Sequence, residues 1–213
     1  MRMEAPRPDP DAQRMLAFRA GDAEAFDQLF ERWAGPLLRY LERMVGDVGT
    51  AEELVQESFL RVHGARDRYE PTARFSTFLY RIATNLALNE LKRPRRRATH
   101  MSSDVTELRS FEPSADQVLS GRRSHEALIE AMDTLPERQR VALWLTAAEG
   151  CSHREVAEVL ETSEKSVKAL VHRGRASLIA RLHGPGDGRA SHVEPSAADG
   201  SRGSDSKSRR RST

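Results

Sequence analysis

The stretch from Phe75 to Arg97, FSTFLYRIATNLALNELKRPRRR, combines three features in one segment. It begins with aromatic residues, continues with apolar residues at helical spacing, and ends in a basic run. A core helix accounts for the aromatic residues, whereas the basic run favours an anionic partner. We therefore interpret the stretch as a rigid platform that binds a polyanion carrying flat bases.

The apolar spacing predicts a helix from about Ser76 to Lys92, which Pro94 ends. The side chains expected in its core face are Phe75, Leu79, Ile82 and Leu86. A polar stripe on another face consists of Arg81, Asn85, Asn89 and Lys92. Asn side chains can read base edges and Arg binds phosphate in a fork geometry. A buried aromatic cluster followed by a solvated basic helix end is the alternative.

Composition narrows the fold class. The chain has 213 residues, of which 38% are hydrophobic and 31% charged, so small helical units fit better than one large core. The net charge is only +2, so the distribution of charge carries the electrostatic argument. A single cysteine, Cys151, excludes an intramolecular disulfide and fits a reducing compartment. With neither a signal peptide nor a run of roughly 20 apolar residues, we expect a soluble cytoplasmic protein.

Two further helices are predicted before the opening stretch. The first begins near Glu24, and Gly35-Pro36 is expected to kink or split it. Thr50 and Glu53 match a capping box, which places the start of the second at Ala51. Its apolar stripe is Ala51, Leu54, Val55, Phe59 and Val62. Its acidic outer face serves either solubility or docking to a basic or polar partner, and carries Glu52, Glu53, Gln56, Glu57 and Arg61.

The second half of the chain has its own helical patterns. Residues 98–121 lose periodicity and are predicted to be a linker. Helical pattern resumes near Arg122, and a capping box at Thr134 and Glu137 predicts a helix to about Ala148. Ser152 and Glu155 form another capping box, before a short helix. A longer helix from about Glu164 carries on one face Val167, Val171, Gly174, Leu178 and Leu182.

The helices at 153–160 and 164–182 have the proportions of a helix-turn-helix. The second offers an outer face of Lys165, Lys168, Ala169, His172, Arg173 and Ala176. Small residues allow close approach to the major groove, while the cationic side chains reach phosphates and base edges. An ordinary helical hairpin with a solvated basic face is the alternative. Residues 184–213 are rich in Gly, Ser and Pro and are predicted to form a disordered tail.

Enzymatic chemistry is not predicted. The histidines do not pair with Cys151 or with one another at metal-ligand spacing, so we expect neither a metal nor another cofactor. No nucleophile and base occur in a catalytic context, and Cys151 is interpreted as structural. The glycine-rich residues 184–188 follow no strand and open no helix, which excludes a phosphate loop.

Four motifs occur in a fixed order: AEELVQESFLRV, FSTFLYRIATNLALNELKRPRRR, TLPERQRVALWL and SHREVAEVLETSEKSVKALVHRGRASL. In this combination the chain resembles bacterial RNA polymerase sigma factors of the sigma-70 family, of the extracytoplasmic-function (ECF) type. The resemblance covers Gln13–Arg97 and Arg122–His183. It implies an all-α protein with sigma region 2 at 13–97 and a sigma region 4 helix-turn-helix at 122–183. Residues 1–12, which the resemblance leaves unexplained, are predicted to form a disordered lead.

The resemblance implies an alternative sigma factor, which gives core RNA polymerase its promoter specificity. Its partners would be the clamp helices of the largest polymerase subunits, promoter DNA in double-stranded and melted form, and an anti-sigma factor. Bound to polymerase, it would be associated with the bacterial nucleoid. The competing class is a stand-alone dimeric helix-turn-helix regulator. A dimer needs an apolar interface helix, and the sequence offers no spare one.

The resemblance also assigns site residues. Those matching the polymerase-binding segment are Glu52, Glu53, Val55, Gln56 and Glu57. Those matching the minus-ten segment are Tyr69, Phe75, Phe78, Arg81, Asn85, Asn89, Lys92, Arg93, Arg95, Arg96 and Arg97. Asn85 matches an Asn at a pocket that captures a flipped base. Those matching the minus-thirty-five reading helix are Lys165, Lys168, Ala169, His172, Arg173 and Arg175.

Three positions depart from the family pattern. Phe78 stands where the family often has Trp, which changes the stacking expected there. Glu161 stands where the turn usually has Gly, and a left-handed non-Gly residue costs roughly 1–2 kcal/mol. Lys165 replaces a small residue and adds charge near the groove.

Overall fold

The computed structural model describes residues 9–93 and 127–182, and within these ranges the ordered elements are helices without a strand. The N-terminal unit (residues 9–93) contains α1 (Pro10–Arg19), α2 (Ala23–Val45), α3 (Val48–Gly64), a 3-10 turn (Arg66–Arg68) and α4 (Phe75–Leu91). The C-terminal unit (residues 127–182) contains α5 (127–133), α6 (Glu137–Ala147), α7 (His153–Val159) and α8 (Glu164–Leu182). The predicted all-α fold is confirmed for the described residues. The predicted linker at 98–121 and the tail at 184–213 lie outside them.

Aromatic side chains from α2 and α4 hold the N-terminal unit together. Tyr40, Phe75 and Tyr80 are at most 1% exposed. The rings of Tyr40 and Tyr80 meet edge to face at 5.2 Å, and the Tyr40 hydroxyl shares a hydrogen bond of 2.6 Å with Thr84. The stripe predicted for α3, from Ala51 to Val62, is buried against this cluster. These contacts fix α4 as a rigid helix.

The predicted disordered lead extends too far. Residues 9–12 are ordered, because Asp9 caps α1 by accepting from Asp11 N. Asp9 also accepts from the backbone N–H of Phe75 at 2.7 Å and so joins the starts of α1 and α4. Asp11 is buried and accepts from the indole Nε1 of Trp33 at 3.1 Å. The Pro- and Asp-rich composition indicated disorder. The contacts that order this segment, to Phe75 and Trp33, involve residues distant in sequence and were not evident from its composition.

In the N-terminal unit one predicted boundary is wrong, and one of two expected outcomes does not occur. Pro36 does not split α2, because burial on both sides of the proline, at Leu29 and Leu37, offsets the lost backbone hydrogen bond; a kink at Pro36, the other expected outcome, stays a prediction. α3 begins at Val48 rather than Ala51, and its cap is Asp47, which accepts from Thr50 N at 2.9 Å. The carboxylate of Asp47, three residues before Thr50, therefore caps the helix in place of the predicted capping box of Thr50 and Glu53.

The C-terminal unit has the predicted helix-turn-helix. The capping box of Ser152 and Glu155 is confirmed, whereas Thr134 donates to Ala131 O and makes no capping box. Pro136 is the cap of α6, which has no side-chain capping bond, rather than its first residue. The predicted buried stripe of α8 is confirmed at Val167, Val171 and Gly174. It is wrong at the end of the helix, where Leu182 is 43% exposed.

The two units contact each other directly: α7 packs on α4, and α6 packs on the end of α2. The sequence analysis predicted two domains on a linker and gave no indication of a contact between them. The contact joins residues more than sixty positions apart, as in the hydrogen bond from Tyr80 to Glu149. Periodicity reports only which face of a helix is apolar, so it cannot reveal such a pairing.

Candidate nucleic-acid and partner interfaces

The outer face of α8 is the most basic helical surface of the C-terminal unit. The basic side chains predicted to read DNA are all exposed, and they are Lys165, Lys168, His172, Arg173 and Arg175. Ala169 is half-buried among them and leaves room for close approach. A hydrogen bond of 3.2 Å from Ser166 N to Ser163 Oγ fixes the start of this helix. The face can therefore present several cations to one groove of a duplex.

The polar stripe of α4 is also exposed along its whole length. Arg81, Asn85, Asn89 and Lys92 lie on one side of the helix, opposite the buried face. The Arg81 guanidinium lies 5.9 Å from the centre of the Phe78 ring. Arg93 is exposed and pairs with Glu90 at 2.9 Å. Arg95, Arg96 and Arg97 lie outside the described residues.

Two of the predicted DNA-binding aromatics are core residues. Phe75 is fully buried and Tyr69 is 4% exposed, so neither ring can stack on a base in this conformation. Burial raises the pKa of Tyr69 to about 12. Phe78 is half-buried and lies edge to face on Tyr69 at 5.3 Å. The aromatic residues therefore support the polar stripe from beneath, and Phe78 alone among these three reaches the surface.

A pocket of about 250 Å³ lies beside the first half of α4. Its walls come from the segment 65–73, from Thr77, Phe78 and Arg81 of α4, and from Glu158 of α7. Asn85 is not among the lining residues; it lies one helical turn beyond Arg81. The assignment of Asn85 to a pocket that captures a flipped base stays a prediction.

The outer face of α3 is a mixed acidic and apolar surface. Glu52, Glu53 and Gln56 are exposed as predicted, while Glu57 is half-buried and pairs with Arg61 at 2.8 Å. Val55 is only 7% exposed, which corrects its assignment to a partner-binding surface. Its position in the apolar stripe already indicated burial.

The sequence analysis missed Leu60, which is 67% exposed on α3. It falls outside the apolar stripe of this helix, and that mismatch was the signal available in the sequence. An exposed Leu among charged side chains on a rigid helix can supply apolar area to a partner surface.

Within the described ranges, no group of His, Cys, Asp and Glu side chains is arranged to hold a metal ion. Cys151 is half-buried near Glu149 and Glu155, and burial raises the pKa of its thiol to about 12. A thiol with that pKa is a weak nucleophile at neutral pH. None of the helices in these ranges is long and apolar enough to cross a bilayer.

Comparisons with known proteins agree with this geometry. The family model for Sigma-70 region 2 matches residues 29–97, and the one for Sigma-70, region 4 matches residues 125–178. RNA polymerase sigma factor CarQ of Myxococcus xanthus is 34% identical over 164 residues, covering 77% of this chain and 92% of CarQ. ECF RNA polymerase sigma factor SigW of Bacillus subtilis is 27% identical over 179 residues, covering 80% of this chain and 95% of SigW.

Two solved structures have a similar fold. The structure of CnrH in complex with the cytosolic domain of CnrY has a TM-score of 0.59 at 26% identity, covering 81% of this chain and 97% of CnrH. Sigma factor RpoE in complex with anti-sigma factor NepR, from Bartonella quintana, has a TM-score of 0.58 at 20% identity, covering 76% of this chain and 98% of RpoE. The second likeness shows the fold alone.

Proposed function

Because this chain belongs to the ECF sigma factors of the sigma-70 family and is an alternative sigma factor that directs transcription initiation, we propose how its surfaces divide that work. The N-terminal unit binds core RNA polymerase through α3 and holds the melted minus-ten strand along α4. The C-terminal unit reads the duplex minus-thirty-five element through α8. The protein has no catalytic chemistry of its own and works in the cytoplasm.

The observation that carries this proposal is the exposed polar stripe of α4 on a fully buried aromatic support. Asn85 and Asn89 can pair with the edges of unstacked bases, and Arg81 and Lys92 can neutralise the adjacent phosphates. Phe78, half-buried at the pocket, supplies one ring surface for a base. Because the support is rigid, little conformational freedom is lost when the strand binds.

The basic face of α8 supports the second assignment. Lys168, His172 and Arg173 lie on one exposed side of a helix that is firmly packed at Val167 and Val171. In a helix-turn-helix this is the side that enters the major groove. Base discrimination of about 1–3 kcal/mol is expected from each good bidentate contact.

The outer face of α3 is proposed as the polymerase-docking surface, with Glu52, Glu53, Gln56 and Leu60 as its contact residues. The acidic groups favour a basic or polar partner helix, and Leu60 adds apolar area at the C-terminal end of this face. We also propose an anti-sigma factor as a partner, since sigma factor RpoE, which has the same fold, was solved in complex with anti-sigma factor NepR, and the similar CnrH was solved in complex with the cytosolic domain of CnrY.

The test is run-off transcription from genomic fragments with purified core polymerase, with and without this protein. New start sites that require the protein are expected, together with co-purification of the protein and core enzyme. Failure to co-purify, combined with no protein-dependent transcript, would contradict the proposed division of work.

A further inference from the structure

The segment that connects the 3-10 turn to α4, residues 69–74, forms one wall of the pocket beside α4. We name it the pocket segment; its residues in that wall are Tyr69, Glu70, Thr72 and Ala73. It is neither helix nor strand, and a short bond within it joins Thr72 N to Glu70 O at 2.8 Å. Without the regular backbone bonding of a helix or strand, such a segment keeps one conformation only where other elements hold it.

Helix α1 contacts both ends of the pocket segment. At the last residue of α1, the Arg19 guanidinium donates to the carbonyl oxygen of Tyr69 at 2.9 Å. At the first end of α1, the carboxylate of Asp9 accepts from the backbone N–H of Phe75 at 2.7 Å. These contacts join residues that are 50 and 66 positions apart. α1 and the pocket segment therefore lie side by side in opposite directions, with one charged hydrogen bond at each end.

The contact at Phe75 takes the place of a local cap on α4. Arg74 occupies the cap position of this helix and makes no side-chain capping bond. The first backbone N–H groups of a helix have no partner within the helix, and the helix dipole favours a carboxylate beside them. Asp9 supplies that carboxylate from α1. The start of α4, where the pocket segment ends, therefore has a defined place relative to α1.

α1 is itself firmly attached to the N-terminal unit. Met15 is fully buried and Phe18 is 5% exposed. The buried carboxylate of Asp11 accepts from the indole Nε1 of Trp33 at 3.1 Å and so joins α1 to α2. The Arg66 guanidinium, in the 3-10 turn, lies 5.6 Å from the centre of the Phe18 ring, within range of a cation–π contact. α1 is therefore a fixed support for the pocket segment.

We propose that Asp9 and Arg19 are positioning residues for the pocket, because they hold the pocket segment in the shape in which its wall accepts one unpaired base. Neither residue lines the pocket. This inference rests on the proposed function, which assigns a base to the pocket. A wall held at both ends loses little conformational freedom when a base enters. A wall released at one end is competent in only a fraction of the molecules and can adapt to other bases.

One test variant removes the contact at Phe75 and keeps α1 capped. Asp9→Ser leaves a single hydroxyl oxygen, which can cap α1 at Asp11 N but is too short to serve Phe75 N as well. The control is Asp22→Ser, which makes the same exchange at the cap of α2, where the carboxylate accepts from Ala25 N of the same helix. A general effect of replacing a capping Asp therefore appears in both proteins.

A second variant, Arg19→Ala, removes the contact at the Tyr69 carbonyl. Its control is Arg39→Ala, which makes the same change of charge at an exposed position of α2. A general loss of affinity for nucleic acid through a missing cation therefore appears in both. Arg19→Lys retains a cationic donor at this end of the pocket segment and is expected to behave as the parent protein.

The hold on the pocket segment is measured first, by amide hydrogen exchange of the full chain with mass spectrometry. Peptides covering residues 69–75 are expected to exchange roughly tenfold faster in Asp9→Ser and Arg19→Ala than in the parent and the controls, since each variant loses a hydrogen bond to a charged group. Equal exchange in variants and controls would overturn the inference. This measurement needs neither polymerase nor a promoter, so its result stands apart from the run-off test of the proposed function.

Base preference is measured next, by transcription with core polymerase from a promoter library randomised across the minus-ten element. Both variants are expected to lose roughly fivefold or more of the preference at the same single position and to keep the preferences elsewhere. A defect of folding alone would lower transcription and leave every preference as it was, and that outcome would overturn the positioning role. Absence of protein-dependent transcripts with the parent protein would contradict the proposed function, while the exchange rates still decide whether α1 holds the pocket segment.

Discussion

Gly174 of α8 and Leu143 of α6 lie so close that a Cβ placed on Gly174 would come within 2.5 Å of Leu143 Cδ1. Gly174 is thus a buried helical glycine whose missing side chain allows α8 to pack closely on α6. The orientation of the basic face of α8 depends on this packing, because α8 is buried at Val167, Val171 and Gly174.

Gly174→Ala is expected to destabilise the C-terminal unit by about 1–3 kcal/mol, because the added methyl overpacks a buried contact. The measurement is urea denaturation followed by circular dichroism. The matched control is Gly35→Ala in α2, where an added Cβ meets only the Arg39 side chain at 3.6 Å. That change is expected to stabilise by about 0.5–1 kcal/mol through helix propensity. Equal effects of both substitutions would refute the close approach.

Glu161 has a φ of 49°, the left-handed conformation expected for the turn between α7 and α8. Glu161→Gly is expected to raise the free energy of unfolding by about 1 kcal/mol, since glycine adopts this conformation without steric cost. Denaturant midpoints of the two proteins give the difference. Glu161→Ala serves as control and should give no such gain, because alanine keeps the strained Cβ.

Asn85→Ala is expected to remove about 1–3 kcal/mol of discrimination at one position of the minus-ten element. The side chain is exposed, so the fold should be unaffected. Transcription from a randomised promoter library, with core polymerase present, reports the preference at each position. Asp27→Ala, at an exposed site on α2, is the control. An unchanged profile for Asn85→Ala would rule out base reading by this residue.

Leu60→Asp is expected to weaken co-purification with core polymerase at least tenfold, because it places a charge where the partner meets an apolar surface. Helical content should be unchanged, since the side chain is 67% exposed. Ile179→Asp makes the same exchange at a 59% exposed position of α8 and should retain core binding. Combined charge reversal at Glu53 and Glu57 with Gln56→Ala should abolish co-purification. Normal co-purification of both α3 variants with core polymerase would exclude α3 as the docking surface.

The three tyrosines of the chain are expected to resist ionisation while the protein is folded. Burial raises the pKa of Tyr40 and, with the hydrogen bond to Glu149, that of Tyr80; it raises the pKa of Tyr69 to about 12. The folded state therefore keeps protons that the unfolded state releases near pH 10. The stabilisation from this source is complete below about pH 10 and is lost as pH rises beyond it.

The near-ultraviolet absorbance of phenolate measures this titration. No transition near pH 10 is expected in the native protein, and a normal one in urea. Native ionisation of all three tyrosines near pH 10 would contradict their burial. In a Tyr80→Phe variant, the transition observed in urea should come from Tyr40 and Tyr69 alone.

Local features of the sequence predicted the helices and the helix-turn-helix. The capping box at Ser152, the apolar stripe of α3 and the polar stripe of α4 depend on residues within a few turns of one another. The motif order also indicated the family, which the matches to regions 2 and 4 confirm. Most errors were at helix starts, where Asp9 and Asp47 act as caps that apolar periodicity does not register.

The sequence alone did not distinguish aromatic residues that pack in the core from those that reach the surface. Phe75 and Tyr69 were assigned to DNA, and only the packing of α1, α2 and α4 shows that they are buried. An aromatic residue at a helix start can face either solvent or core, and the choice depends on helices distant in sequence.

The sequence by itself therefore determined the fold class and the faces on which polar and apolar side chains lie, because both follow from local spacing. The family was indicated by the resemblance of four motifs in their order. The tertiary structure alone decided that Tyr80 meets Glu149 and that Arg140 caps α2. Those contacts join units separated by many residues, and their geometry arises only when two formed surfaces dock. A repeating pattern of residue types specifies a surface, whereas its partner is selected by shape and charge in three dimensions.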